Sequence, residues 1–506
     1  MLLLTACINS DNSGSSDNQN TENTMGETGG IVGKILNANT GDPLQNVNIR
    51  AFQITTESDE SGNFTLQEVT PDERVVVTFS LAGYAEQSKV IQVQDQNTTT
   101  SLPILMLPVA TTQTFDSSVP QTLSVDNSPA KVFIDALSLV KLDGTEPTGE
   151  VTVEITPIDP TVDIDLMPGD MKTDIGAGTL APIESFGALN VVFRDSEGND
   201  LNLSEGSNAT IRIPVTNRTG IAPPSTIPLY FYNESTGLWV EEGNAILDAT
   251  TSYYEGTVSH FSTWNADILY EQVQITGWVE NEEGVRMPNV YVVSEGDDYS
   301  GTDYTFTDAE GNFSIGAKTN AIVLIVGLEN GVKTNTVSLS TTTSNFAMES
   351  GLVLSTSDNT SGVAASIKLS WGENPLDLDS HYIGPVESGI HVYFSNRGSL
   401  TGAPFANLDI DDTSSFGPEV ITIFNFPQAG IYRYSVHNYS GSYNPGITDS
   451  PAIVELNING NVSLFTPPTS GEGNNVTWDV FEFLVNENGE VTINPVNTWS
   501  DIAPAL

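Results

Sequence analysis

Acidic and imidazole side chains alternate in Pro375-Leu376-Asp377-Leu378-Asp379-Ser380-His381. In an extended strand, residues two apart face the same side. Asp377, Asp379 and His381 are therefore expected on one face, with Leu376 and Leu378 on the other. A second run, Asn407-Leu408-Asp409-Ile410-Asp411-Asp412-Thr413, puts Asp409 and Asp411 on a shared face in the same way. Glu419 follows in Gly417-Pro418-Glu419. Two acid rows on neighbouring strands repel each other unless a cation lies between them. Hard carboxylate oxygens in that number suit Ca²⁺, whereas His381 pulls towards a transition metal. The expected site is Asp377, Asp379, His381, Asp409, Asp411, Asp412 and Glu419 around Ca²⁺. The competing reading is a set of turn and cap acids on a solvated edge, since the whole chain is acidic.

A second local chemistry lies at His260-Phe261-Ser262. The tripeptide is similar to the self-cleavage site of β-rich domains in netrin-receptor and ankyrin-type proteins, and to that of a nucleoporin domain. The resemblance implies that His260 takes the proton of Ser262, whose oxygen attacks the carbonyl of Phe261. Water then hydrolyses the ester. The favoured expectation is plainer: a closing strand with Phe261 and Trp264 in the core and His260 hydrogen-bonded locally. No His-Glu-x-x-His zinc-peptidase signature occurs, and nothing marks a Ser/His/Asp triad. No catalytic set is assigned, and the chain is expected not to be an enzyme.

These residues sit in a chain of 506 residues with 65 acidic and 16 basic side chains, a net charge of −49. Such a surface repels phosphate backbones and anionic headgroups, which excludes nucleic acid as a partner. Only 16% of residues are charged, while Gly and Pro number 43 and 27. Surface polarity must come from Ser, Thr, Asn and Gln, a mix that reads as many short strands and turns. One cysteine excludes an intrachain disulfide and a cysteine-based metal site.

That cysteine stands in Leu4-Thr5-Ala6-Cys7, which resembles a bacterial lipobox and implies a diacylated Cys7 as the mature N-terminus. The preceding residues lack the basic region and full apolar run of a signal peptide, as expected if the start is assigned late or the leader is trimmed. Residues 8–28 are Asn/Ser/Asp/Thr-rich and are expected to form a disordered tether. An exported outer-membrane lipoprotein follows, periplasmic or surface-exposed, with a lipid anchor in the membrane.

The body of the chain reads as an all-β, multidomain series of sandwiches. Residues 29–108 alternate in strand fashion, with turns about every ten residues. The pattern recurs over 272–353. Ser58-Asp59-Glu60-Ser61-Gly62-Asn63-Phe64 finds its counterpart in Thr307-Asp308-Ala309-Glu310-Gly311-Asn312-Phe313. Both stretches resemble the carboxypeptidase regulatory-like domain, a transthyretin-like sandwich. In its turn Gly takes positive φ, Asp and Asn cap, and Phe plugs the core. Residues 109–271 form a β-rich middle region, and 354–360 a linker. Residues 361–506 resemble the YfaP-like domain of exported bacterial proteins, through Leu376-Asp377-Leu378-Asp379, Leu408-Asp409-Ile410-Asp411-Asp412-Thr413 and Gly417-Pro418-Glu419. The expected function is non-catalytic: modules that act as spacers and bind a glycan or a surface protein. Trp371, Tyr382 and Tyr393 are the aromatics considered for sugar stacking, against the alternative that they fill cores. The alternative function is a protein that cleaves itself at Phe261-Ser262, or a hydrolase using the C-terminal Asp/His cluster.

Overall fold

The computed structural model describes residues 28–94, 98–100, 103–218, 222–355, 364–441, 444 and 446–505. Cys7, the tether up to residue 27 and residues 356–360 of the linker lie outside them. Among the described residues there is no α-helix, and the fold is all-β.

The first sandwich sets Asn63–Val69, Gly29–Asn37, Thr98–Thr100 and Ile104–Met106 against Ile54–Glu57, Asn48–Ala51, Asp72–Ser80 and Gln87–Val93. The second repeats the arrangement. Gln272–Asn281 pairs antiparallel with Asn312–Lys318 and parallel with Phe346–Ala347 and Leu352–Leu354. The duplication extends to single atoms. Asp59 Oδ1 accepts the N–H groups of Ser61 and Asn63, and Asp308 Oδ1 those of Glu310 and Asn312. The hydroxyl of Ser58 donates to the Leu44 carbonyl, as Thr307 does to Met287. Phe64 and Phe313 are buried in the two cores.

Gly62 and Gly311 have φ of +76° and +77°. A Cβ on Gly62 would lie 2.5 Å from the Ile35 carbonyl oxygen; one on Gly311 would meet Arg286 Cβ at 2.8 Å and the Met287 backbone nitrogen at 3.0 Å. Gly62→Val and Gly311→Val should therefore each destabilise their own sandwich by roughly 1–3 kcal/mol. The larger loss is expected at Gly62, where the backbone contact is closer. Module-resolved hydrogen exchange is the check, and equal protection in variant and wild type would reject the strain argument.

Between the two copies, one continuous ladder of thirteen strands spans Thr111–Phe115 to Thr263–Leu269. Phe186, Leu189, Ile211, Tyr254 and Trp264 fill its core. The C-terminal sandwich packs a six-stranded sheet on a five-stranded one. The first contains Ala406–Ile410, Glu419–Ile423 and Ala365–Ser370; the second contains His391–Val392, Leu378–Ile383 and Gly430–Asn438. Trp371, Tyr382, Tyr434 and Trp478 are buried between them. Trp371 and Tyr382 are thus core residues and offer no surface to a sugar.

The modules are fastened to one another, and the scarce cations do the fastening. Arg74 pairs with Asp170 and Lys89 with Asp165, joining the first sandwich to the middle region. Lys172–Asp303 and Lys318–Glu184, at 2.8 and 2.6 Å, join the middle region to the second sandwich. Lys333–Glu455 and Lys368–Glu295 join the second sandwich to the C-terminal one. Lys34 donates to the Val462 carbonyl, and Arg218 to that of Asp297, also across modules. Half of the 16 basic residues therefore lie at seams. Apolar contact reinforces them: Leu36 and Leu105, Trp239 and Tyr232, and Val462 and Leu464 share one cluster drawn from three modules.

Candidate metal centre in the C-terminal sandwich

Strand Leu378–Ile383 alternates, but both of its faces are covered. Leu378 and Tyr382 point into the core, and the hydroxyls of Ser380 and Tyr434 lie 2.8 Å apart there. Asp379 and His381 take the other face, where they are only 3% and 5% exposed. In register, Asp379 lies opposite His437 and His381 opposite Ser435.

Two further carboxylates converge beside Asp379. Glu419 opens strand Glu419–Ile423 and is fully buried. Its Oε2 accepts the backbone N–H of Ser380, and its Oε1 has no hydrogen-bond partner. Asp411 follows strand Ala406–Ile410. Its Oδ2 accepts from Arg397 at 2.7 Å, while its buried Oδ1 has no partner. Asp379 Oδ2 is likewise buried and unpartnered. One oxygen each from Asp379, Asp411 and Glu419 lies within 4.8 Å of the others. Asp377 stands at the edge of this group with a buried, unpartnered Oδ1.

Burial and crowding act on Asp379, Glu419 and Asp377 in one direction. Burial first, then Asp377 and Asp411, pushes the Asp379 carboxyl up to about 7. Burial raises Glu419 well above the carboxylate range, with Asp379 and Asp411 adding to it and the Ser380 N–H opposing. Asp377 is raised by burial, then by Asp411 and Asp412.

Four expectations are corrected. Asp409 is not in the cluster. A bulge sets Leu408 opposite Ile421 but Ile410 opposite Val420, so Asp409 is an extra residue and loses the face it was to share with Asp411. Its carboxylate accepts from Asn407, Thr422 and the Thr336 N–H, which makes it a link to the second sandwich. Asp412 Oδ1 caps a turn, accepting from the N–H and hydroxyl of Ser414. His381 turns to other histidines and supplies no ligand atom to the three-acid group. Leu376 precedes the strand and is 54% exposed rather than facing the core.

The histidines form a second group. His381 Nδ1 and His391 Nε2 are 2.8 Å apart, and Tyr393 stacks on both rings. His437 meets His381 edge-on at 5.8 Å. Burial, then His391 and His437, lowers the His381 pKa to about 3; burial also lowers His391 and His437. Sequence reasoning did not gather His391 and His437, nor Arg397. The available signal was that three of the chain's four histidines fall between positions 381 and 437.

At the tripeptide, Phe261 and Trp264 are buried in the middle-region core. The His260 ring packs against Phe231 and Trp264, with Nε2 3.7 Å from Glu242. The Ser262 hydroxyl donates to the Thr263 carbonyl. Asn202 clamps Phe261, accepting from its N–H and donating to its carbonyl. The imidazole and the hydroxyl that self-cleavage needs thus face different partners.

Residues 30–105 match the family model of the carboxypeptidase regulatory-like domain. This carboxypeptidase regulatory-like domain coincides with the first sandwich, and the second shares its strand order. Over 234 residues the chain is 27% identical to human cartilage intermediate layer protein 1. The match covers 43% of this chain and 19% of that protein, so the chain spans about a fifth of its length. Among solved structures, the major pilin SpaD of Corynebacterium diphtheriae aligns over 65% of this chain and 98% of its own, at 9% identity and a TM-score of 0.15. A candidate carbohydrate binding protein of Bacteroides uniformis aligns over 49% and 100%, at 13% identity and a TM-score of 0.14. Among the described residues, no helix is long and apolar enough to cross a membrane.

Proposed function

We propose that the protein is an exported, non-catalytic surface component that holds its modules as one stiff body and offers a binding face for a glycan or a protein. The supporting observation is the placement of cations. In a chain with a net charge of −49, half of the basic residues join one module to another. Joined in this way, the modules resist bending, as a spacer must. In this reading Cys7 carries the lipid that anchors the chain at the outer membrane, and residues 8–28 form the tether. The C-terminal part is a YfaP-like domain. One diacylated thiol supplies the anchor. Cys7→Ser, expressed with an upstream signal sequence, should move the protein from the membrane fraction to the soluble one. Retention of the variant in the membrane would reject the anchor. A glycan array and a surface-protein pull-down then test the binding face. Intact mass tests the non-catalytic reading, since a break between Phe261 and Ser262 would overturn it.

A further inference from the structure

We propose that Asp379, Asp411 and Glu419 form a Ca²⁺ site in the C-terminal sandwich, with Asp377 at its rim. Acidic side chains crowd many surfaces of this chain, and most are solvated or cap turns. In this group Asp379 and Glu419 are buried, and each of the three acids leaves one buried oxygen without a hydrogen-bond partner. Glu419 is 0% and Asp379 3% exposed, each has an unpartnered oxygen, and their carboxylates approach within 4.8 Å. A buried carboxylate oxygen without a donor is costly, and three meeting at one point compound the cost. Water could solvate one such oxygen, but not offset the mutual repulsion.

Arg397 is the cation bonded to the group, and it reaches only the outer oxygen of Asp411. Its charge leaves the inner oxygens uncompensated. A divalent ion among them supplies the missing positive charge and completes every orphaned oxygen at once. The spacing suits a large ion: oxygens up to 4.8 Å apart are bridged by two bonds of about 2.4 Å. Mg²⁺, with bonds of about 2.0–2.1 Å, holds its oxygens closer and retains more water. The donors are all oxygen: the convergent ligand atoms come from Asp379, Asp411 and Glu419, and no histidine nitrogen is among them. That disfavours zinc or copper. The framework is set before any ion arrives. Glu419 is fixed by the Ser380 N–H and Asp411 by Arg397.

The test uses the full chain and Ca²⁺ itself. Its melting temperature should be higher in millimolar Ca²⁺ than in chelator, by roughly 3 °C or more, since an ion that binds only the native state stabilises it. Equal concentrations of Mg²⁺ should give a smaller rise. Asp379→Asn keeps the side-chain shape and should abolish most of the rise. Glu419→Gln serves the same purpose if the first variant folds poorly. Asp409→Asn, outside the cluster, should keep the rise. Equal melting in Ca²⁺ and chelator overturns the site. So does a rise that survives both cluster substitutions, which would mean diffuse binding to the acidic surface. A Mg²⁺ rise equal to that of Ca²⁺ overturns the choice of ion.

Discussion

Lys368→Ala is expected to cost about 3–5 kcal/mol and to loosen the junction between the second and C-terminal sandwiches. Lys368 holds both oxygens of Glu295 at 3.0 Å. The two side chains are 17% and 18% exposed, facing a cavity of about 110 Å³ also lined by Lys89, Asp165, Lys333 and Glu455. Burial opposes the Lys368 charge, but Glu295, Asp163 and Glu455 outweigh it and raise its pKa. Truncation strands Glu295 among other carboxylates, so most of the cost is an unpaired charge rather than a lost attraction. The double variant Lys368→Met with Glu295→Gln removes both charges and should recover much of the loss. Calorimetry should show the first transition of the single variant falling well below that of wild type, with faster proteolysis between the modules. Unchanged melting and cleavage would show that the pair does not hold the seam.

Mild acidification should stabilise the cation-free protein, the reverse of what an ordinary set of salt-bridged acids gives. Burial, with Asp412 second, lifts Asp297 to about 7, and burial with its acidic neighbours lifts Asp379 equally. Burial also lifts Asp409 to about 6 against the hydrogen bonds it accepts. Unfolded, such groups titrate at about 3.9. The folded chain therefore holds protons that the unfolded chain has released, and stability falls as pH rises from about 4 through about 7. The histidines work oppositely. With His381 lowered to about 3 and His391 and His437 also lowered, their contribution is complete above about pH 6.5 and is lost as pH falls. Between pH 8.5 and 7.5, above the range in which unfolded imidazoles protonate, only the carboxylates act strongly, so the melting temperature in chelator should rise as pH is lowered across that interval. Asp379→Asn should flatten part of the slope. A flat or falling profile would mean that these acids are ionised in the folded chain.

What the sequence could reveal depended on whether the physics was local. The turn Asp59 to Asn63 and its copy Asp308 to Asn312 are closed by hydrogen bonds within five residues, so their residue types announced both the glycine conformation and the duplication. Alternation likewise placed Asp379 and His381 on one face. It failed at Asp409, because a bulge is decided by the partner strand and leaves no fixed residue signature. Pairing Asp379 with Glu419 requires knowing how two strands meet across a sandwich. The seams were further out of reach: Lys318 finds Glu184 across 134 positions of chain. No periodicity carries such a register.

Committing half of the cations to internal joints leaves an exterior charged almost entirely with one sign. Individual molecules so clothed keep their distance from each other. At about 0.1 M salt the repulsion reaches roughly 10 Å beyond each surface, and at 1 M only about 3 Å. Copies crowded on a common support would thus stand as a self-spacing lawn whose density is set by ionic strength. The joints themselves, mostly buried and screened less than surface charges, would stay closed as the lawn tightened.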